Sequence, residues 1–185
     1  MAGRQDPVER ILDGLIAAID RHGSRKVSVT DVCAAAGVSR GTVYRYFPTR
    51  EDLFAALGAH TLVWFRRVVE EAVAADPAVD HRVAVVVGAI SRITGDGKPF
   101  REAYTTEPGY VLHHFEVSWS GFIAVLRDAL APAFPAGEQD GPRVDVAADV
   151  LARHILTRQL IRSPHTTDAD LVALLRAYTG QTAPT

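Results

Sequence analysis

Three hydroxyl-bearing residues, Ser28, Ser39 and Thr49, each stand at the head of a stretch that reads as helix. Two of them are answered three positions later by an aspartate, Asp31 and Asp52. A hydroxyl at the N-cap accepts a bond from an amide one turn in, and an acid at the third helical position bonds back, so such pairs start helices at fixed points. The stops are placed as closely. Gly37 supplies a sharp turn, and Pro48 disfavours helical backbone at Phe47. Between Ser28 and Asp52 the chain is thereby confined to a short helix through Ala36, a tight turn, a second helix of about two turns and the start of a third.

The remainder follows the same period. Val8, Ile11, Leu12, Leu15, Ile16 and Ile19 make one face of a helix ended by His22-Gly23. The helix opened by Thr49 runs to about Ala75 and is closed by Asp76-Pro77. Further helices are expected over His81–Thr94, Pro99–Thr105, from Glu107-Pro108 through Leu130, over Arg143–Arg162 and over Asp168–Tyr178, with residues 132–142 as the clearest loop. No alternating strand pattern and no internal repeat is visible. The expected class is all-α, of about nine helices, with a head over residues 1–49 and a helical body over 50–185.

Charge is divided unevenly along this chain. Residues 1–50 carry eight Arg or Lys against five Asp or Glu, a net +3, although the whole chain is at −2. A basic head on an acidic body suggests that the head alone meets a polyanion. One cysteine, Cys33, excludes an internal disulfide and a cysteine zinc site, and reads as a small packed apolar residue. No run approaches the roughly 18 apolar residues of a membrane span, and the N-terminus lacks a signal-type apolar core, so no membrane association and a cytoplasmic location are expected.

A short helix, a glycine turn and a second short helix form the helix-turn-helix layout, in which the second helix enters the major groove of duplex DNA. The residues suit that task. Arg40, at the leading end of the second helix, can take guanine O6 and N7 as a bidentate pair, Gly41 lets the backbone approach, and Thr42 offers a hydroxyl or methyl to bases. Thr30, Ser39, Tyr44 and Tyr46 can donate to phosphates. Arg50 opens a helix against its dipole, which an external anion would explain. Arg45 points to phosphate or solvent, and Val43 and Phe47 to the core.

Residues 11–57, ILDGLIAAIDRHGSRKVSVTDVCAAAGVSRGTVYRYFPTREDLFAAL, also resemble the DNA-binding domain of the TetR family of bacterial transcriptional regulators. The shared run is G-V-S-[RK]-G-T-[VL]-Y-x-[YH]-F followed by P-[ST]-[KR]-E-[DE]-L. The resemblance implies base contacts from Arg40, Gly41 and Thr42, and phosphate contacts from Thr30, Ser39, Tyr44, Tyr46 and Arg50. Ser24 stands where the family usually has an aromatic residue and Cys33 where it usually has an aliphatic one, both at packing positions.

The last two helices are apolar around more than one narrow stripe, and such a surface must be covered. Val150, Leu151, Ile155, Leu171, Leu174, Leu175 and Tyr178 are the candidates for a joint between two copies. The resemblance implies a homodimer closed by a four-helix bundle, reading a palindromic operator in double-stranded DNA. It also implies a small-molecule effector in the body that tilts the helix beginning at Arg50. Trp64, Val68, Phe100, Tyr104, Tyr110, His113, His114 and Val117 are the candidate lining, for a largely apolar effector with His113, His114, Tyr104 or Arg101 as polar handles.

His113 and Glu116 share a helical face, open to three readings: a metal pair, pocket lining, or a satisfied or solvent-facing pair. No second Glu-x-x-His supports the metal, so neither a metal nor a cofactor is expected. No phosphate loop, nucleophile elbow or His-Glu-x-x-His motif is present, and no catalytic residue is assigned. Three functions remain open: a ligand-released repressor, a DNA-binding regulator without a small-molecule ligand, and a helical enzyme or scaffold that keeps the head as a structural module.

Overall fold

The computed structural model describes residues 6–23, 26–95, 104–105, 108–161 and 165–180, without the side chains of 110 and 113. Among these the chain is all-α: eight α-helices and no strand. They are α1 (Pro7–His22), α2 (Val29–Ala36), α3 (Arg40–Tyr46), α4 (Arg50–Ala75), α5 (Arg82–Thr94), α6 (Pro108–Leu130), α7 (Pro142–Leu160) and α8 (Asp168–Thr179). The chain divides into two compact units, Met1–Val63 with Glu102–Ser118, and Trp64–Arg101 with Trp119–Thr185.

The first unit is built around α1. Asp6 caps it, accepting from the Val8 amide at 3.1 Å, and Pro7 occupies the first helical position, where its fixed φ fits and its missing N–H costs nothing. Ile11, Leu12, Leu15 and Ala18 are buried against Val27, Val32, Val43 and Phe47. Burying a side chain of this size contributes about 1.5–3 kcal/mol. Leu53 and Leu57 of α4 join the same core, which therefore continues past Pro48. Both expected capping boxes form: the Asp31 amide donates to Ser28 Oγ at 3.2 Å, and that of Asp52 to Thr49 Oγ1 at 3.0 Å. Gly37 caps α2 at φ 63°, ψ 39°, a left-handed conformation that glycine adopts without a Cβ clash.

The second unit packs α5 against α7 and α8. Val83, Val86, Val87 and Ile90 of α5 and Val144, Ala148 and Leu151 of α7 are all buried, small or branched side chains. Arg158 of α7 ties three helices together: it donates to Ser91 Oγ at 3.2 Å and Thr94 Oγ1 at 3.4 Å on α5, and pairs with Asp168 on α8. Arg143 pairs with Glu138 and donates to the Tyr178 carbonyl, its guanidinium 5.1 Å from the Tyr178 ring centroid.

Helix limits and flanking turns add to or differ from the sequence expectation at several points. A single 3-10 turn, Val79–His81, precedes α5, and another, Ala131–Ala133, follows α6. α7 takes in Pro142 as its first residue and gives way at Ile161, whose backbone is extended at φ −128°, ψ 115°. α8 has a capping box that the sequence reading passed over, Thr167 with Asp170. The helix expected over Pro99–Thr105 lies mostly outside the described residues.

Candidate nucleic-acid interface

α3 is anchored by Val43, 1% exposed, and by Phe47 directly after it. Because these two lie on one side, Arg40, Gly41, Tyr44, Arg45 and Tyr46 are turned outward. Ser39 caps α3, accepting from the Thr42 amide at 3.1 Å, and its hydroxyl lies 2.9 Å from Thr42 Oγ1. That pairing fixes the Thr42 side chain at the start of the helix and leaves its methyl group available to a thymine methyl. Arg45 donates to Tyr46 Oη at 3.4 Å with its guanidinium 4.9 Å from the ring centroid, a sideways arrangement that holds both side chains out from the helix.

Gly41 is the informative residue of this face. A Cβ built on it would meet nothing nearer than Ser39 Oγ, 3.8 Å away, and its φ is not positive. Neither internal packing nor backbone conformation requires glycine here, although glycine in a helix costs up to about 1 kcal/mol against alanine.

Thr30 is exposed on α2. Asp31, beside it, has its carboxyl held below the ordinary range by bonds from the Ser28 hydroxyl and amide. Arg50 has a partner that the sequence did not disclose. Its Nη1 donates to the Val27 carbonyl at 2.7 Å, and the guanidinium lies 4.7 Å from the Phe54 ring centroid. The cation at the start of α4 is therefore offset from within the chain, and an external anion is not needed to account for it.

Sequence reasoning missed the buttress behind this surface. Arg10 of α1 donates to the Ala36 carbonyl at 3.0 Å and to that of Gly37 at 3.1 Å. His60 of α4 and Asp13 of α1 approach to 3.4 Å. Neither pair has a local sequence signal, because the partners lie far apart in the chain.

The candidate effector residues are distributed over both units. Trp64 is exposed and Val68 half-buried in the second; Tyr104 and His114 are half-buried in the first, where Val117 is 68% exposed. Phe100 and Arg101 lie outside the described residues, as do the side chains of Tyr110 and His113. Near His114, a Cβ on Gly58 would stand 3.8 Å from the imidazole and 3.5 Å from Ser118 Oγ, so α4 and α6 pass close together in the first unit. Glu116 is exposed, and among the described residues no three His, Cys, Asp or Glu are grouped to hold a metal ion. No described helix is long and apolar enough to cross a membrane.

Of the candidate joint residues, Leu151, Leu171 and Leu175 are buried in the chain's own core. Their helices pack against α5 within the single chain. Ile155 and Tyr178 are half-buried, and Tyr178 packs edge-on to Phe134 with centroids 6.3 Å apart. The outward apolar side chains are Val150 and Leu174, with Val146 in addition, 49% exposed and one turn before Val150.

Residues 11–57 match the family model for bacterial regulatory proteins of the tetR family. The HTH-type transcriptional repressor LfrR of Mycolicibacterium smegmatis is 36% identical over 77 residues, covering 42% of this chain and 40% of that one. The chain thus spans less than half the length of this curated relative. Among solved structures, SCO7518 of Streptomyces coelicolor superposes with a TM-score of 0.67 at 20% identity, over 94% of this chain and 98% of that chain. The transcriptional regulator FadR of Bacillus subtilis, solved in complex with stearoyl-CoA, gives 0.61 at 21% identity, over 93% and 95%.

Proposed function

We infer that this chain, which belongs to the tetR family of bacterial regulatory proteins, is a sequence-specific DNA-binding transcriptional regulator that acts as a repressor. The observation that carries the reading is the outward face of α3. It offers Arg40, Thr42, two exposed tyrosines and a glycine that nothing inside the molecule requires. Arg40 and Thr42 address base edges, Gly41 lets the backbone approach, and Thr30, Ser39, Tyr44, Tyr46 and Arg50 address the phosphates on either side.

One such head reads only a few base pairs, so the working form is a homodimer on a palindromic operator in double-stranded DNA. Val146, Val150 and Leu174 are the apolar side chains left to cover the joint. Release from DNA follows when a small, largely apolar molecule binds the body and favours a conformation that DNA does not. The fold shared with FadR, which was solved holding an acyl-CoA, supports a helical body able to enclose such a molecule. On this reading the protein performs no catalysis.

Selection from a randomised duplex library at two salt concentrations tests the reading. Enrichment of a two-fold symmetric site with steep salt dependence is the expected result. Failure to enrich any sequence at low salt would remove it.

A further inference from the structure

The turn that joins α2 to α3 is held from outside by one face of α1. Arg10 donates from Nη2 to the carbonyls of Ala36 and Gly37, the last residue and the C-cap of α2. Carbonyls at a helix end have no partner within the helix, and a cation there also meets the negative end of the helix dipole. Gly14, one turn further along the same face of α1, presses on the same spot. A Cβ on it would stand 2.8 Å from the Ala36 nitrogen and 2.9 Å from its Cα.

Beyond that anchored point, α3 is held to the head core by Val43 and by Phe47 at its end. It is seven residues long, and Val43 is its one buried side chain. Phe47 follows it out of the helix. With so few core anchors, the angle of α3 against the rest of the head also depends on how the turn is held at Ala36 and Gly37.

We propose that Arg10 is a positioning residue for base recognition: by fixing the Ala36 and Gly37 carbonyls it sets the angle at which α3 presents Arg40 and Thr42, and so governs sequence preference more than overall affinity. The proposal rests on the reading of α3 as the recognition helix. Its physical basis is a difference in tolerance. A bond to a base edge weakens steeply once its angle or length leaves a narrow range, whereas phosphate contacts from tyrosine and arginine side chains adjust to small rotations.

The test compares Arg10→Met, Arg10→Lys and a destabilised control, Ile11→Val, with the unaltered chain. Each is titrated with a selected duplex and a scrambled one at two salt concentrations, at a temperature where circular dichroism shows every variant folded. In Arg10→Met the ratio of specific to scrambled affinity falls about tenfold, on the scale of one mismatched base pair, while scrambled binding and the salt slope stay as in the parent. Arg10→Lys falls between, since an ammonium lacks the rigid fork of a guanidinium. Ile11→Val melts earlier but keeps the parent's ratio.

An unchanged ratio in Arg10→Met overturns the proposal. So does a salt slope lowered by about one phosphate, which would make Arg10 a backbone contact. A parent chain that prefers no duplex sinks the recognition-helix reading itself, and the proposal with it. That failure is distinct, because it appears before any variant is compared.

Discussion

Gly14 of α1 lies so close to Ala36 of α2 that a Cβ on the glycine would stand 2.6 Å from the alanine Cβ. Real Cβ atoms do not approach that far, and the nearest atoms also include the Ala36 backbone, which cannot swing aside as a long side chain would. Gly14→Ala is therefore expected to separate α1 from α2 and to destabilise the head by about 1–3 kcal/mol, the usual cost of overpacking. A lowered thermal midpoint with unchanged helix content at 10 °C is the outcome to look for; an unshifted midpoint contradicts the close crossing.

Gly41 predicts the opposite sign. An added methyl would meet open space, so Gly41→Ala should leave the free protein as stable or more stable by up to about 1 kcal/mol. On the proposed reading the same methyl would stand between the α3 backbone and the groove. Stability and operator affinity should consequently move in opposite directions. Parallel movement would mean that glycine is there for a reason inside the fold.

Arg40 and Arg50 separate by the kind of loss they cause. Arg40 is exposed at the leading end of α3, so Arg40→Ala should cost about 1–3 kcal/mol of specific binding and relax preference at one base pair. Arg50 bonds the Val27 carbonyl, so Arg50→Ala should lower the thermal midpoint of the head as well as weakening all duplexes alike. Binding curves on permuted sites, with melts run in parallel, distinguish the two patterns. An Arg40→Ala protein with intact preference would refute the base contact.

What the sequence disclosed about this molecule was local, and the structure shows why. The boxes at Ser28 and Thr49 join residues three apart, and both form as the spacing requires. Arg10 and Gly37 stand 27 residues apart, so nothing in the pattern around either one names the other. The candidate joint divides for a different reason. Helices α7 and α8 are apolar on more than one face, and periodicity does not say which face turns inward. The single chain buries Leu151, Leu171 and Leu175, and leaves Val146, Val150 and Leu174 outward. The candidate effector lining was read from composition and resemblance, neither of which carries the position of a wall.

His154 gives a pH dependence with a definite direction. Its Nε2 is buried without a partner among the described residues. Burial first, and then the nearby Arg158 cation, hold its pKa below the ordinary 6.5, with Asp168 opposing. A histidine whose folded pKa is depressed binds its proton more readily when unfolded. Its contribution to stability is therefore present above pH 6.5 and is lost as the pH falls from there towards the folded value. The thermal midpoint should drop more between pH 7.5 and 5.5 in the parent chain than in His154→Gln. Equal drops would place the titration elsewhere.

The two kinds of apolar residue on α7 and α8 should respond to substitution in unlike ways. Leu174 is 61% exposed in the single chain, so a charge there costs the protomer little but faces the partner in a dimer built on this surface. Leu174→Glu should shift the mass measured by light scattering from two chains to one at micromolar concentration, and keep the helix content. Leu171, 4% exposed, belongs to the protomer's interior, and Leu171→Ala should lower stability by about 2–5 kcal/mol. If Leu171→Ala remains folded it should still form dimers, because its side chain is already buried within the single chain. On the proposed reading, in which operator affinity comes from two heads bound at once, Leu174→Glu should also bind a full palindrome little better than a half-site. A Leu174→Glu chain that stays dimeric and keeps its preference for the full palindrome would move the joint to another face.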